Sequence, residues 1–104
     1  MILEIAQIDI KPGFEQEFEE GVRRAAPLFK RAVGFHSLQL RKVVELPQRY
    51  QLVVGWGSVE DHVIGFAGSR DFLAWRELVG HCFERLPYVE HSSDVICWSM
   101  EDVA

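Results

Sequence analysis

The order of hydrophobic periods along this 104-residue chain predicts an α+β fold: a ferredoxin-like split βαβ unit with an antiparallel sheet. Three observations carry that expectation. Four segments are β-branched or alternate apolar with polar residues at the two-residue period of a strand. Between the first and second, and again between the third and fourth, the period lengthens to that of a helix. The second and third strands are joined by a turn too short for a helix, so they form a hairpin. The order is therefore β-α-β-β-(α)α-β.

Residues 2–10 (ILEIAQIDI) read as the first strand, and Lys11-Pro12-Gly13 stops it. Residues 14–33 follow with Phe14, Phe18, Val22, Ala25, Phe29 and Val33 on one stripe. Pro27 removes a backbone donor, so the helix should kink or restart near Ala26. Gly34 ends it. Residues 35–44 (FHSLQLRKVV) are the second strand and residues 50–56 the third. Ser58 is placed to cap a short helix whose first turn carries Glu60 and Asp61. Ser69 caps a longer one, with Phe72, Trp75, Leu78, Val79 and Phe83 on its apolar side and Pro87 as its stop. Residues 88–98 are the last strand.

Composition narrows the function classes. A hydrophobic share of 48% supports one core, and the length suits a single domain over residues 1–104. A chain this small leaves much of its surface in water, so self-association would help it. A helix-covered sheet also leaves one face open, and pairing two such faces about a twofold axis covers both. A homodimer is expected. The net charge of −5 argues against nucleic acid. Glu15, Glu17, Glu19 and Glu20, with Arg23 and Arg24 a turn on, read as a solvated helix face. No apolar run approaches a membrane span, and the N-terminus lacks a signal-peptide pattern. Cys82 and Cys97 have no CxxC spacing and read as two reduced thiols, so a cytoplasmic protein is expected.

Several of these features occur together in a known family. They are the strand closed by Lys11-Pro12-Gly13, the Gly34-Phe35 start of the second strand, and the hairpin ending in Val54-Gly55-Trp56. The segment His62-Val63-Ile64-Gly65-Phe66, then Ser69, Phe72, Trp75-Arg76 and Val89-Glu90-His91, complete the pattern. From about Ile2 to His91 the chain resembles the antibiotic biosynthesis monooxygenase family, the dimeric α+β barrel group. The resemblance implies that fold, and an oxygenase acting on anthrones or quinols without metal or flavin. Another branch of the family degrades haem. It uses an asparagine on the first strand, a tryptophan after the third and a histidine on the last helix. Here Ala6-Gln7, Phe66 and Arg76 stand at those places, which counts against haem degradation, with His81 a turn beyond the histidine position.

Cofactor-free oxygenation needs a substrate anion that gives an electron to dioxygen. The protein must take a proton, steady the anion and exclude water. His62 is the first candidate base: it shares a helix face with Phe66 and titrates near neutrality. Its structural alternative is a hydrogen bond that locks the helix to the sheet. His91, in parity with Val89 and Val95, faces an apolar layer and needs a partner, which could be His62, a ligand or an interface group. Arg76 could hold an enolate, or pair with Glu90, Glu77 or Asp71. Trp56, Phe66, Phe72 and Trp75 are candidate pocket walls, and each could equally be core. His36 and His81 look like surface positions, and Glu90, out of phase with His91, an exposed or dimer-contact one. The four histidines lack metal-ligand spacing, and no dinucleotide, phosphate-loop or nucleophile motif occurs. The expected activity is a cofactor-independent monooxygenase on a small planar aromatic, quinol or enolic substrate, with no cofactor and no metal. The alternatives are a non-catalytic small-molecule-binding or stress-response module, and a haem-handling protein.

Overall fold

A computed structural model describes residues 1–102. Strand β1 (Ile2–Asp9) leads to helices α1 (Glu15–Arg24) and α2 (Ala26–Lys30). The hairpin β2 (Phe35–Lys42) and β3 (Arg49–Trp56) follows, then a π-helical turn (Asp61–Phe66), α3 (Arg70–Val79) and β4 (Tyr88–Ser92). The strands form one sheet in the order β2-β3-β1-β4. Every neighbouring pair is antiparallel, so β1 and β2 run the same way with β3 between them. That is the split βαβ arrangement of a ferredoxin-like α+β fold.

Strand alternation decides what the helices cover. Glu4, Ala6 and Ile8 of β1, and Tyr50, Leu52, Val54 and Trp56 of β3, are all buried and point to one face. Phe18, Val22, Phe29, Trp75 and Val79 from the helices pack onto them. Each such large apolar side chain contributes about 1.5–3 kcal/mol by leaving water. The opposite face carries Leu3, Ile5, Gln7 and Val53, which are half-buried, and Tyr88 and Glu90, which are exposed.

Two glycines permit close approaches. At Gly21 a Cβ would lie 2.8 Å from Val79 Cγ1 and 3.0 Å from the Leu78 carbonyl oxygen, so α1 and α3 cross at nearly backbone contact. Gly34 has φ +82°, a conformation that L side chains rarely adopt, and a Cβ there would collide with the Asp61 side chain. Its carbonyl accepts from the Gly57 N–H at 2.8 Å, tying the start of β2 to the end of β3.

Several boundaries differ from the sequence expectation. The first helix breaks at Ala25, ahead of Pro27, and α2 ends at Lys30. Val33 therefore leaves the apolar stripe and is 82% exposed. The second strand stops at Lys42 rather than residue 44. The last helix ends well short of Pro87, at Val79, with a tight turn over Gly80–Cys82. There the chain is drawn back to the sheet: the Lys11 N–H donates to the Cys82 carbonyl at 2.9 Å, and the Glu84 N–H to the Asp9 carbonyl at 2.8 Å. Strand β4 ends at Ser92, opposite Leu3. Strand β1 offers almost nothing further to pair with, so Val95, Ile96 and Trp98 are exposed instead of extending the strand. No described helix is long and apolar enough to cross a membrane.

Candidate functional site

At the β4 edge of the helix-covered face, three titratable side chains meet. Glu4 stands opposite His91 in the β1–β4 ladder, so both side chains rise toward the helices. The π-helical turn reaches over them. Ser58 accepts from the Asp61 N–H at 3.1 Å at its start. The Ala67 N–H donates to the His62 carbonyl at 2.8 Å, the wide i to i+5 bond of a π-turn. His62 Nδ1 and His91 Nε2 lie 2.8 Å apart and share a hydrogen bond. His62 Nε2 is 3.3 Å from Glu4 Oε1. The same carboxylate oxygen accepts from Trp56 Nε1 at 3.0 Å. The Trp56 indole also stacks on the His62 ring, with centroids 5.7 Å and planes 15° apart, which fixes the imidazole's orientation.

Burial sets the charge states. His62 is only 8% exposed and Glu4 only 6%. Loss of solvent, reinforced by the neighbouring His91, pushes His62 down to about 4. Desolvation raises Glu4, and the Trp56 hydrogen bond partly opposes that. The His62–Glu4 contact is thus a neutral imidazole beside a carboxyl group with heightened proton affinity, not a surface ion pair. The chain Glu4–His62–His91 can pass a proton along its length by exchanging tautomers.

The chain borders a hollow of about 300 Å³ between helices and sheet. Glu4 and His62 form one side, and Phe72, Trp75, Arg76 and Phe83 much of the rest. The Arg76 guanidinium lies over the Phe83 ring at 5.4 Å and the Phe72 ring at 6.0 Å. Its Nε is buried and makes no hydrogen bond. A buried N–H donor left unmatched costs about 1–3 kcal/mol. Another hollow, of about 310 Å³, lies at the hairpin base, but there Asp9 already pairs with Arg49 and Arg85.

Of the residues singled out from sequence, His62, Arg76, Phe72 and Trp75 line the hollow. His91 stands behind His62 as its hydrogen-bond partner. Trp56 and Phe66 are buried in the core and do not line it, and Trp56 acts on the site through Glu4. The salt bridges considered for Arg76 do not form: Asp71 is held by Arg31 at 2.7 Å, and Glu90 points to the other face of the sheet. Sequence reasoning missed Glu4. The signal was its parity with Ala6 and Ile8, which places an acid among inward-facing residues.

Fold and site together define an α+β chain with one helix-covered sheet face and a titratable apolar hollow at its edge. The profile of the antibiotic biosynthesis monooxygenase family matches residues 1–78, and the chain belongs to that family. It is similar to a Bordetella bronchiseptica protein whose name places it in the same family. The two share 49% identity at a TM-score of 0.90, over 91% of this chain and 97% of that one. It is 40% identical to the uncharacterized protein YczJ of Bacillus subtilis, across 91% of this chain and 100% of YczJ. The fold is also that of SnoaB, a cofactor-independent oxygenase from Streptomyces nogalater. There the TM-score is 0.71 at 17% identity, over 95% of each chain.

Proposed function

We propose that the protein is a cofactor-independent monooxygenase for a small planar aromatic, quinol or enolic substrate. One observation carries this reading: the His62 imidazole and the Arg76 side chain border the same aromatic-walled hollow. His62 Nδ1 is committed to His91, which leaves Nε2, in long contact with Glu4, to exchange a proton with substrate. In the tautomer that donates Nδ1–H to His91, Nε2 is the basic nitrogen. His62 removes a proton from the substrate's activated C–H or O–H group, and Arg76 holds the resulting enolate oxygen. The anion gives one electron to dioxygen, and the substrate radical and superoxide combine to a peroxide. For a methylene substrate, protonation of the peroxide, loss of the second C–H proton and O–O cleavage leave a ketone. One oxygen atom enters product and the other leaves as water. Phe72 and Trp75 hold a flat ring and keep bulk water away.

The family fold and the named oxygenase that shares it support this chemistry. A homodimer formed through the open sheet face, in the cytoplasm, belongs to the same proposal. The half-buried Leu3, Ile5 and Val53 would be covered by it, and Cys82 and Cys97 are free thiols. The test is oxygen uptake by purified protein with a panel of anthrones and quinols, beside light scattering for the dimer. Uptake that is lost in His62→Ala is expected. No uptake above background, or full activity in that variant, would dismiss the assignment.

A further inference from the structure

We propose that Glu17, His81 and Cys82 form a binding site for a borderline-soft divalent cation of the zinc type. None of the three lines the hollow assigned to oxygenation. Glu17 lies in the first turn of α1, and His81 and Cys82 in the tight turn after α3. The carbonyl of Cys82 is fastened to the Lys11 N–H, so the turn is held where the helices meet the end of β1. Cys82 Sγ is 3.5 Å from His81 Nε2 and 3.9 Å from Glu17 Oε2. The Glu17 carboxylate and His81 Nε2 are in direct contact. One oxygen, one nitrogen and one sulfur donor thus converge, with all three ligand atoms within 4.8 Å of one another.

Two of those three separations are near what tetrahedral zinc requires. Bond lengths of about 2.3 Å to sulfur and about 2.0–2.1 Å to nitrogen or oxygen put sulfur about 3.6 Å from either donor, and nitrogen about 3.4 Å from oxygen. The two sulfur separations already stand near that value. The Glu17–His81 contact must open, and both side chains are more than half exposed, so the carboxylate is free to swing outward. Glu17 and His81 line an open hollow of about 630 Å³ that also carries Glu20, Glu77 and Arg24, so its charged lining is acidic on balance. A fourth position remains for water. Burial and the Glu17 charge push the Cys82 thiol up. A bound cation takes the thiolate and so displaces the thiol proton. The sulfur and imidazole donors select zinc-like ions over magnesium or calcium.

Glu17 is 64 residues from His81, so no local motif could announce this cluster. The experiment uses the full chain with Cys97→Ser, which leaves Cys82 as the only thiol, freed of metal and titrated with cobalt(II). A 1:1 sulfur-to-cobalt charge-transfer band in the near ultraviolet is expected. It should be lost in Cys82→Ser. His81→Ala and Glu17→Gln alter exposed side chains and should keep the far-ultraviolet circular dichroism. Each should weaken cobalt binding by about tenfold or more, since outer partners of metal ligands alone cost about 10–100-fold. A folded protein that shows no such band, or an affinity untouched by both exposed substitutions, would overturn the proposal.

Discussion

Replacing His62 with Gln should flatten the acid side of the protein's stability profile. The buried imidazole is held near 4 against an ordinary value of 6.5. It binds a proton more weakly when folded than when unfolded, so its contribution is complete above pH 6.5 and is lost as pH falls toward 4. At about 1.4 kcal/mol per pH unit, the full loss is about 3.5 kcal/mol, with about 2 kcal/mol already gone by pH 5. Glu4 works in the opposite direction. Its raised proton affinity penalises the folded state at higher pH and relieves it as the carboxyl protonates, so it offsets part of the loss in the wild type. The comparison with His62→Gln isolates the histidine, because Gln keeps polar atoms but does not titrate. Urea unfolding at fixed protein concentration, from pH 7.5 to 5, measures the difference. Far-ultraviolet circular dichroism is the right probe, since His62 stacks on Trp56 and its loss would disturb fluorescence. The gap between wild type and variant should move by about 2 kcal/mol across that range. Parallel curves would refute the assignment of a buried neutral imidazole.

Arg76→Met should leave stability within about 1 kcal/mol, because an apolar side chain of similar length removes an unmatched buried donor. The same variant should lose affinity for enolate or phenolate ligands by about tenfold or more, measured by calorimetry. Trp56→Phe strips Glu4 of its indole donor and should cost about 1–3 kcal/mol in chemical denaturation. It should also raise the Glu4 titration midpoint further, readable by carboxyl NMR. Gly21→Ala gains about 1 kcal/mol of helix propensity but drives a methyl into Val79 and the Leu78 carbonyl. Thermal unfolding should show a net loss of about 1–2 kcal/mol, and an unchanged or raised Tm would mean that the α1–α3 crossing yields easily.

Hydrophobic period and local capping made most of the fold readable. The alternation of residues 2–10 marks β1, Pro27 marks the helix break, and Ser69 accepts from the Phe72 N–H at 3.2 Å as a cap should. What could not be read depends on partners distant in sequence. The alternation around Val95 looks like strand, yet β1 has no length left to pair with it. Phe83 belongs to a helical stripe by spacing, but it bridges to Ile10 at the sheet edge. Within the site, His62 and His91 are legible as imidazoles that need a partner, while their contact depends on the register that sets His91 opposite Glu4. Glu4 was hidden by its chemistry, since an acid near a terminus reads as surface. Trp56 was visible as an aromatic wall, and only the tertiary structure turns its N–H onto that acid.

The ladder that carries His91 is the shortest in the sheet: β4 meets β1 over five residue pairs, whereas β3 meets β1 over eight. Edge ladders of that length fray first, and they do so far more cheaply than the whole domain unfolds. Each opening would withdraw His91 from His62 and lift Val89, Leu86 and Pro87 from the rim of the hollow at the same moment. On the proposed function, ligand passage and the disarming of the imidazole pair would be one mechanical event, and proton exchange would be confined to intervals when the margin of the sheet is zipped shut.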